Sequence, residues 1–206
     1  MTIELHCFGE SGNAYKAALA LELAGMDWTP VFVDFFKGAT RSAEFRALNP
    51  MGEVPVMVAD DLVLTQSGTI QDWVIENTGK LGGATPDQRR EVWRWVLFDN
   101  HKLTGTVSVY RFLCKFMGKK DEPEAVFMQG RMIQAIKILN RHLDGRDWVA
   151  ADRATIADIS LCGYLFWPDH FGVNWDDYPH IKSWLERIRS LPNWAPPEDI
   201  LPSKAV

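Results

Sequence analysis

Apolar and polar residues alternate from Ile3 to Phe8, the period-two pattern of a half-buried strand, so residues 3–8 are read as the first strand. Ser11-Gly12-Asn13 opens an Ala- and Leu-rich run through Ala24, and Gly25 stands where a helix closes. Val31-Phe32-Val33 is the next strand. A strand, a helix and a second strand in this order make a right-handed parallel βαβ unit. Ser42 to Leu48 reads as a short helix stopped by Asn49-Pro50, because the residue before a proline is pushed out of the α region. Val54–Ala59 and Leu62–Thr65 flank Asp60-Asp61, a two-residue hairpin turn without the favoured glycine. Ser67 to about Asn77 is the helix that covers them, with Ile70, Trp73 and Val74 inward.

Past this point the period changes. Thr78 to Pro86 is glycine-rich and ends in proline, which puts a linker at residues 81–85. Beyond it no strand pattern recurs. Residues 87–117 carry helical periodicity, with Val92/Val96 and Trp95/Phe98 ridges and a weak point at Gly105. Residues 122–143 do the same with Val126, Ile133, Ile136 and Leu139. Thr155-Ile156-Ala157-Asp158 is a capping-box variant before a nearly all-apolar helix, Ile156 to Trp167, which belongs at the centre of a bundle. Pro179 to Leu191, with Ile181, Trp184, Leu185 and Ile188, packs outside it. The chain is expected to hold an α/β domain over residues 1–80 and an all-helical bundle over 86–206.

With 47% apolar and 12% aromatic residues, a chain of 206 residues can bury a substantial core. A net charge of −5, with Lys and Arg scattered, argues against a nucleic-acid or anionic-membrane surface, so any anion site must be built from local groups. No signal peptide and no long apolar segment is found, and the cytoplasm is the expected compartment. Cys7, Cys114 and Cys162 lack close spacing, which indicates neither a disulfide framework nor a metal site, and the absence of Cys-x-x-Cys argues against a dithiol mechanism.

The richest chemistry lies in Asn49-Pro50-Met51-Gly52-Glu53-Val54-Pro55-Val56-Met57-Val58 with Gln66-Ser67 downstream. Proline at the start of a strand removes a donor from the ladder, and a cis Val54-Pro55 bond would turn the Val54 N–H and C=O outward toward an extended ligand. Gln66 and Ser67 add an amide, a hydroxyl and helix-start N–H groups suited to a carboxylate and an amine. In these residues the sequence resembles the glutathione transferase superfamily. The resemblance implies that Val54 and Pro55 hold glutathione's cysteinyl backbone and that Gln66 and Ser67 hold its γ-glutamyl end. It also implies a thioredoxin-like first domain, an all-helical second domain, and a homodimer. The polar cap at Thr155 and Asp158 extends the likeness over the whole chain.

A transferase must stabilise a sulfur anion, since a thiol with a reference pKa near 8.5 is only a few per cent ionised at neutral pH. A donor near a helix N-terminus does so. Ser11 stands where serine-type members have their catalytic residue, and Ser-x-Asn also resembles bacterial and fungal members in which Asn13 faces the sulfur. Lys37 and Arg41 are the basic candidates for the glycine carboxylate. Glu53 departs from the Lys or Gln frequent in the family, and a carboxylate there is unfavourable unless it points away or meets an amine. Tyr15, Phe98, His101, Tyr110 and Trp167 are expected to line the pocket for a small apolar electrophile. Conjugation, displacement or ether cleavage with glutathione as co-substrate and no metal is the leading expectation. Glutathione-dependent peroxide or disulfide reduction and a non-catalytic binding module are the alternatives.

Overall fold

The computed structural model describes residues 1–204, and its contacts divide these into two units, residues 1–81 together with 191–204, and Gly82–Ser190. In the first unit β1 (Ile3–Cys7), α1 (Gly12–Ala24) and β2 (Thr29–Phe32) form the βαβ element, and β1 pairs parallel to β2. A short helix, α2 (Ala43–Leu48), precedes β3 (Val56–Ala59) and β4 (Leu62–Thr65), and α3 (Ser67–Thr78) covers them. The sheet order is β2-β1-β3-β4, with β3 antiparallel to both neighbours, and the fold is thioredoxin-like.

Local chemistry explains most element ends. Ser11 caps α1 by accepting the Ala14 N–H at 3.1 Å, and Gly25 closes it in the left-handed region at φ 72°. Ser42 caps α2, and Asn49 ends it before Pro50. The hairpin pairs Ala59 with Leu62, and Asp60 takes the left-handed conformation in place of the missing glycine, as Asp tolerates better than most residues. Ile3, Leu5 and Cys7 share one buried face of the sheet with Met57, and Leu19, Leu21, Ile70 and Val74 are likewise buried, each worth about 1.5–3 kcal/mol for a large aliphatic side chain. Trp73 is only half-buried.

One boundary is corrected. The segment after Leu191, assigned from sequence to the helical domain, belongs to the first unit: α1's Tyr15 hydroxyl donates to the Ala195 carbonyl at 2.8 Å, and the Gly9 N–H donates to the Pro202 carbonyl at 2.8 Å. No sequence pattern reveals such a return, because the bonds join residues far apart in the chain.

The second unit is helical. Residues 86–116 form one winding run, α4 (Pro86–Phe98), a wider π-wound stretch Asp99–Leu103, α5 (Thr104–Arg111) and a second π-wound stretch Phe112–Phe116. The irregularity expected at Gly105 lies just before it, and Gly105 permits it: a Cβ there would sit 2.9 Å from the Asn100 carbonyl oxygen. α6 (Pro123–His142) buries Ala125, Met132, Ile136 and Leu139 but leaves Val126 55% exposed, so Val126 lies on the outer face of the helix. α7 (Ile156–Cys162) is buried on every side, ends earlier than the apolar run, and is flanked by α8 (Pro179–Arg189). A short α9 (Pro197–Ile200) belongs to the first unit.

Two buried carboxylates knit the helical unit. Asp99 accepts the Thr104 hydroxyl at 2.7 Å and the Ser160 hydroxyl at 2.6 Å. Asp158 closes the capping box of α7, taking the Thr155 N–H at 2.9 Å and the Thr155 hydroxyl at 3.1 Å on one oxygen. Its other oxygen takes the Val149 N–H and the Trp184 ring N–H, each at 2.9 Å. Burial raises its carboxyl above the usual carboxylate range, and the hydrogen bonds oppose that rise. Asp158→Ala strands these donors in the core. It is expected to cost about 3 kcal/mol or more and to lower the melting midpoint by roughly 6–12 °C, measured by thermal denaturation.

Candidate functional site

Strand register gathers the sequence-predicted residues of the first unit at one end of the sheet. His6 lies opposite Val56, and Val56 lies opposite Thr65, while Cys7 pairs with Phe32. The chain leaving β1 (Ser11, Asn13), leaving β2 (Lys37, Arg41), entering β3 (Val54, Pro55) and leaving β4 (Gln66, Ser67) therefore meets the sheet at the same end.

The Val54-Pro55 peptide bond is cis. Val54 lies two residues before the ladder begins at Val56, and its side chain packs on the small core of Val33, Phe45 and Val56. The turn before it is tightly held. Asn49, 1% exposed, donates from Nδ2 to the Glu53 carbonyl at 2.8 Å, and its Oδ1 accepts the Met51 N–H at 3.1 Å. Gly52 adopts φ 67° against the Thr40 carbonyl, 2.9 Å from where a Cβ would stand, so only glycine fits.

At the start of α3, Gln66 takes φ 68° and ψ 122°, a conformation costly for any residue but glycine and concentrated at ligand sites. Its side chain does not cap the helix. The Gln66 carbonyl accepts the Thr69 and Ile70 N–H groups at 3.1 Å, and the helix geometry leaves the preceding Ser67 and Gly68 N–H groups without an intrahelical acceptor. Ser67 is buried at this positive end. The strained backbone of Gln66 had no sequence signal.

At the start of α1, Ser11 is buried, and its Oγ accepts from Ala14 with its own O–H still able to donate. Asn13 is half-buried in the first turn, and its Oδ1 is buried without a hydrogen-bond partner. An amide oxygen and a thiolate are both acceptors, so it is the Asn13 Nδ2 or the Ser11 hydroxyl that can stabilise a sulfur anion here. Cys7 cannot serve as the nucleophile near neutral pH, since burial pushes its thiol up to about 12.

The basic candidates differ in setting. Lys37 is exposed and pairs with Asp34 at 2.9 Å, and that contact holds the Asp34 carboxyl below its ordinary value. Arg41 is exposed and forms no ion pair with another described residue. Arg46, overlooked in the sequence, lies closer to the turn, with its Nε 3.8 Å from the Cβ position of Gly52.

The residues expected around an electrophile are scattered. Tyr15 is a correction: α1 turns it into the core, fully buried, instead of lining a pocket. Phe98 packs edge-on against Trp95 at 5.0 Å and His101 is exposed. Phe98 and Tyr110 are twelve residues apart on one helical run, about 18 Å along its axis, so one small pocket cannot use both. Tyr110 is buried, and burial, the Cys114 thiol beside it and the charge of Asp121 push its hydroxyl up to about 12. Trp167 belongs to a cluster that the sequence did not reveal. Buried Arg111 lies over its ring at 4.7 Å and donates from Nε to His170 Nδ1 at 3.0 Å, while Lys115 Nζ stands 2.8 Å from His170 Nε2. Among the described residues no group of three or more His, Cys, Asp or Glu is disposed to hold a metal, and no helix is long and apolar enough to cross a membrane.

Comparison with known proteins agrees with this geometry. Residues 1–76 match the glutathione S-transferase N-terminal domain and residues 103–192 its C-terminal domain. The crystal structure of a possible glutathione S-transferase from Rhodopseudomonas palustris is similar with a TM-score of 0.88 and 30% identity, over 95% of this chain and 98% of that one. Glutathione S-transferase 3 of Zea mays is 29% identical over 203 residues, 92% of this chain and 90% of its own. The disulfide-bond oxidoreductase YfcG of Escherichia coli K12 is 26% identical over 193 residues, 90% of this chain and 89% of its own. A thioredoxin-like unit with an open helix start beside a Val-Pro turn, followed by a helical unit, and the matches across both units, lead to one conclusion: the chain belongs to the glutathione S-transferase family.

Proposed function

We propose that the protein is an enzyme that binds glutathione on the first unit and activates its thiol for attack on a small apolar electrophile. The observation that carries this is the meeting of four chain segments at one end of the sheet, with the Ser67 end of α3 and the Ser11 end of α1 both presenting donors there. Val54 pairs its backbone with the cysteinyl residue, and Gln66 and Ser67 receive the γ-glutamyl end. Arg41 or Arg46 meets the glycine carboxylate more readily than Lys37, which already has Asp34. A hydroxyl or amide donor and the positive end of α1 favour the thiolate. The thiolate forms a bond to the electrophilic carbon, the leaving group departs with its electron pair, and the thiol proton passes to solvent. Because Phe98 and Tyr110 stand too far apart for one small pocket, either Phe98 with His101 or Tyr110 with Trp167 is proposed to receive the electrophile.

The similarity to the disulfide-bond oxidoreductase of Escherichia coli favours a second reading, glutathione-dependent disulfide reduction through the same thiolate. With Cys7 buried and its thiol held at about 12, such a reaction uses glutathione sulfur instead of a protein dithiol. A symmetric homodimer is also proposed, supported by the exposed Leu62 and Val63 of β4 and Leu97 of α4.

Three outcomes are expected. Ser67→Ala weakens glutathione binding roughly ten- to hundredfold by calorimetry, the loss of a hydrogen bond to a charged group, and unchanged affinity would remove this site from the reading. Ultraviolet titration of the bound thiol gives a midpoint about two units below 8.5, equivalent to roughly 2.7 kcal/mol, which Ser11→Ala raises. A rise in Asn13→Ala alone transfers the role to Asn13. Light scattering at micromolar concentration yields twice the single-chain mass, and the mass of one chain would exclude the dimer.

A further inference from the structure

A γ-glutamyl end is a zwitterion, and the start of α3 suits only half of it. The helix N-terminus, its N–H groups and the Ser67 hydroxyl accommodate the α-carboxylate. They repel the α-ammonium. The first turn of α3 carries no acidic residue, and the residue before it, Gln66, is neutral. A carboxylate is nevertheless present. Glu53, thirteen residues upstream, reaches the helix start with its Oε2 3.5 Å from Gln66 Nε2.

We infer that Glu53 anchors the α-ammonium of the bound γ-glutamyl group, making a free amine at that end a determinant of affinity. The inference rests on the glutathione reading above. Three observations support it. The main chain of Glu53 is fixed, through Asn49 on its carbonyl and through the glycine-only turn at Gly52, so the side chain leaves from a defined place. Its contact with Gln66 lies at the outer limit of a hydrogen bond, and an ammonium displaces it readily. Gln66 Nε2 also lies 3.1 Å from Met51 Sδ, so the amide nitrogen turns toward the Met51–Glu53 turn and leaves the carbonyl oxygen as a second acceptor for an ammonium with three N–H donors. Arg46 makes no ion pair with Glu53 among the described residues. An amine partner also resolves the conflict of placing a carboxylate beside a peptide that carries carboxylates of its own.

The test uses glutathione and its des-amino analogue, glutaryl-cysteinyl-glycine, which lacks only the amine. Both are titrated calorimetrically into the parent and into Glu53→Gln, whose exposed position leaves the fold intact, as a thermal melt verifies. The parent is expected to bind the analogue about tenfold more weakly than glutathione. Glu53→Gln should bind the two within about threefold of each other, by losing affinity for glutathione and keeping that for the analogue. Equal discrimination by both proteins overturns the inference and leaves the glutathione reading standing. So does tighter binding of both ligands by Glu53→Gln, which would make Glu53 a repelling charge. A parent that binds neither ligand overturns the glutathione reading, and the inference with it.

Discussion

Every helix begins with backbone N–H groups that its own turns cannot satisfy, and the way this chain meets that constraint separates its scaffold from its site. At α7 the donors are buried, and Asp158 closes the box while also taking Val149 and Trp184. At α1 Ser11 supplies one acceptor and keeps its hydroxyl proton available. At α3 the cap residue Gln66 takes a left-handed conformation and turns its amide away, so the first-turn donors remain open. A buried start left open would cost about 1–3 kcal/mol per donor, whereas a start at the protein surface holds its donors for a ligand.

The sheet turns these separate starts into one site. Because β3 runs antiparallel to β1 and β4, the entry to β3 lies beside the exits of β1 and β4, and the parallel pairing of β2 adds the loop of Lys37 and Arg41. A one-residue slip in either ladder would carry Val54 away from its neighbours and reverse the faces of Ile3, Leu5 and Cys7. The hydrophobic core that fixes the register therefore also fixes the distances among the polar groups.

The same core holds the protein's own nearby sulfur out of reaction. Cys7 is at the end of the central strand, close in sequence to Ser11, yet burial keeps it a thiol. The proposed reaction therefore relies on a sulfur brought in from solution, toward which the starts of α1 and α3 present donors.

Features set by residues close in the chain were legible in the sequence: the Ser11 and Gly25 ends of α1, the stop at Asn49-Pro50, the hairpin at Asp60-Asp61, the Thr155–Asp158 box and the thioredoxin-like element order. Each depends on hydrogen bonds or steric clashes spanning a few residues, so residue type and spacing suffice. Other features join distant segments, and only the tertiary structure decided them. The chain after Leu191 returns to the first unit, Tyr15 faces Ala195 in the core, Arg111 stands over Trp167, and Glu53 reaches Gln66. The period of an amphipathic helix says that one face is buried, and it correctly placed Ile136 and Leu139, but it could not say that at the first turn the small Ala125 is buried and the larger Val126 faces solvent. The strained backbone of Gln66 belongs with these, because a left-handed glutamine is held there by the packing of strand and helix around it, against its own local preference.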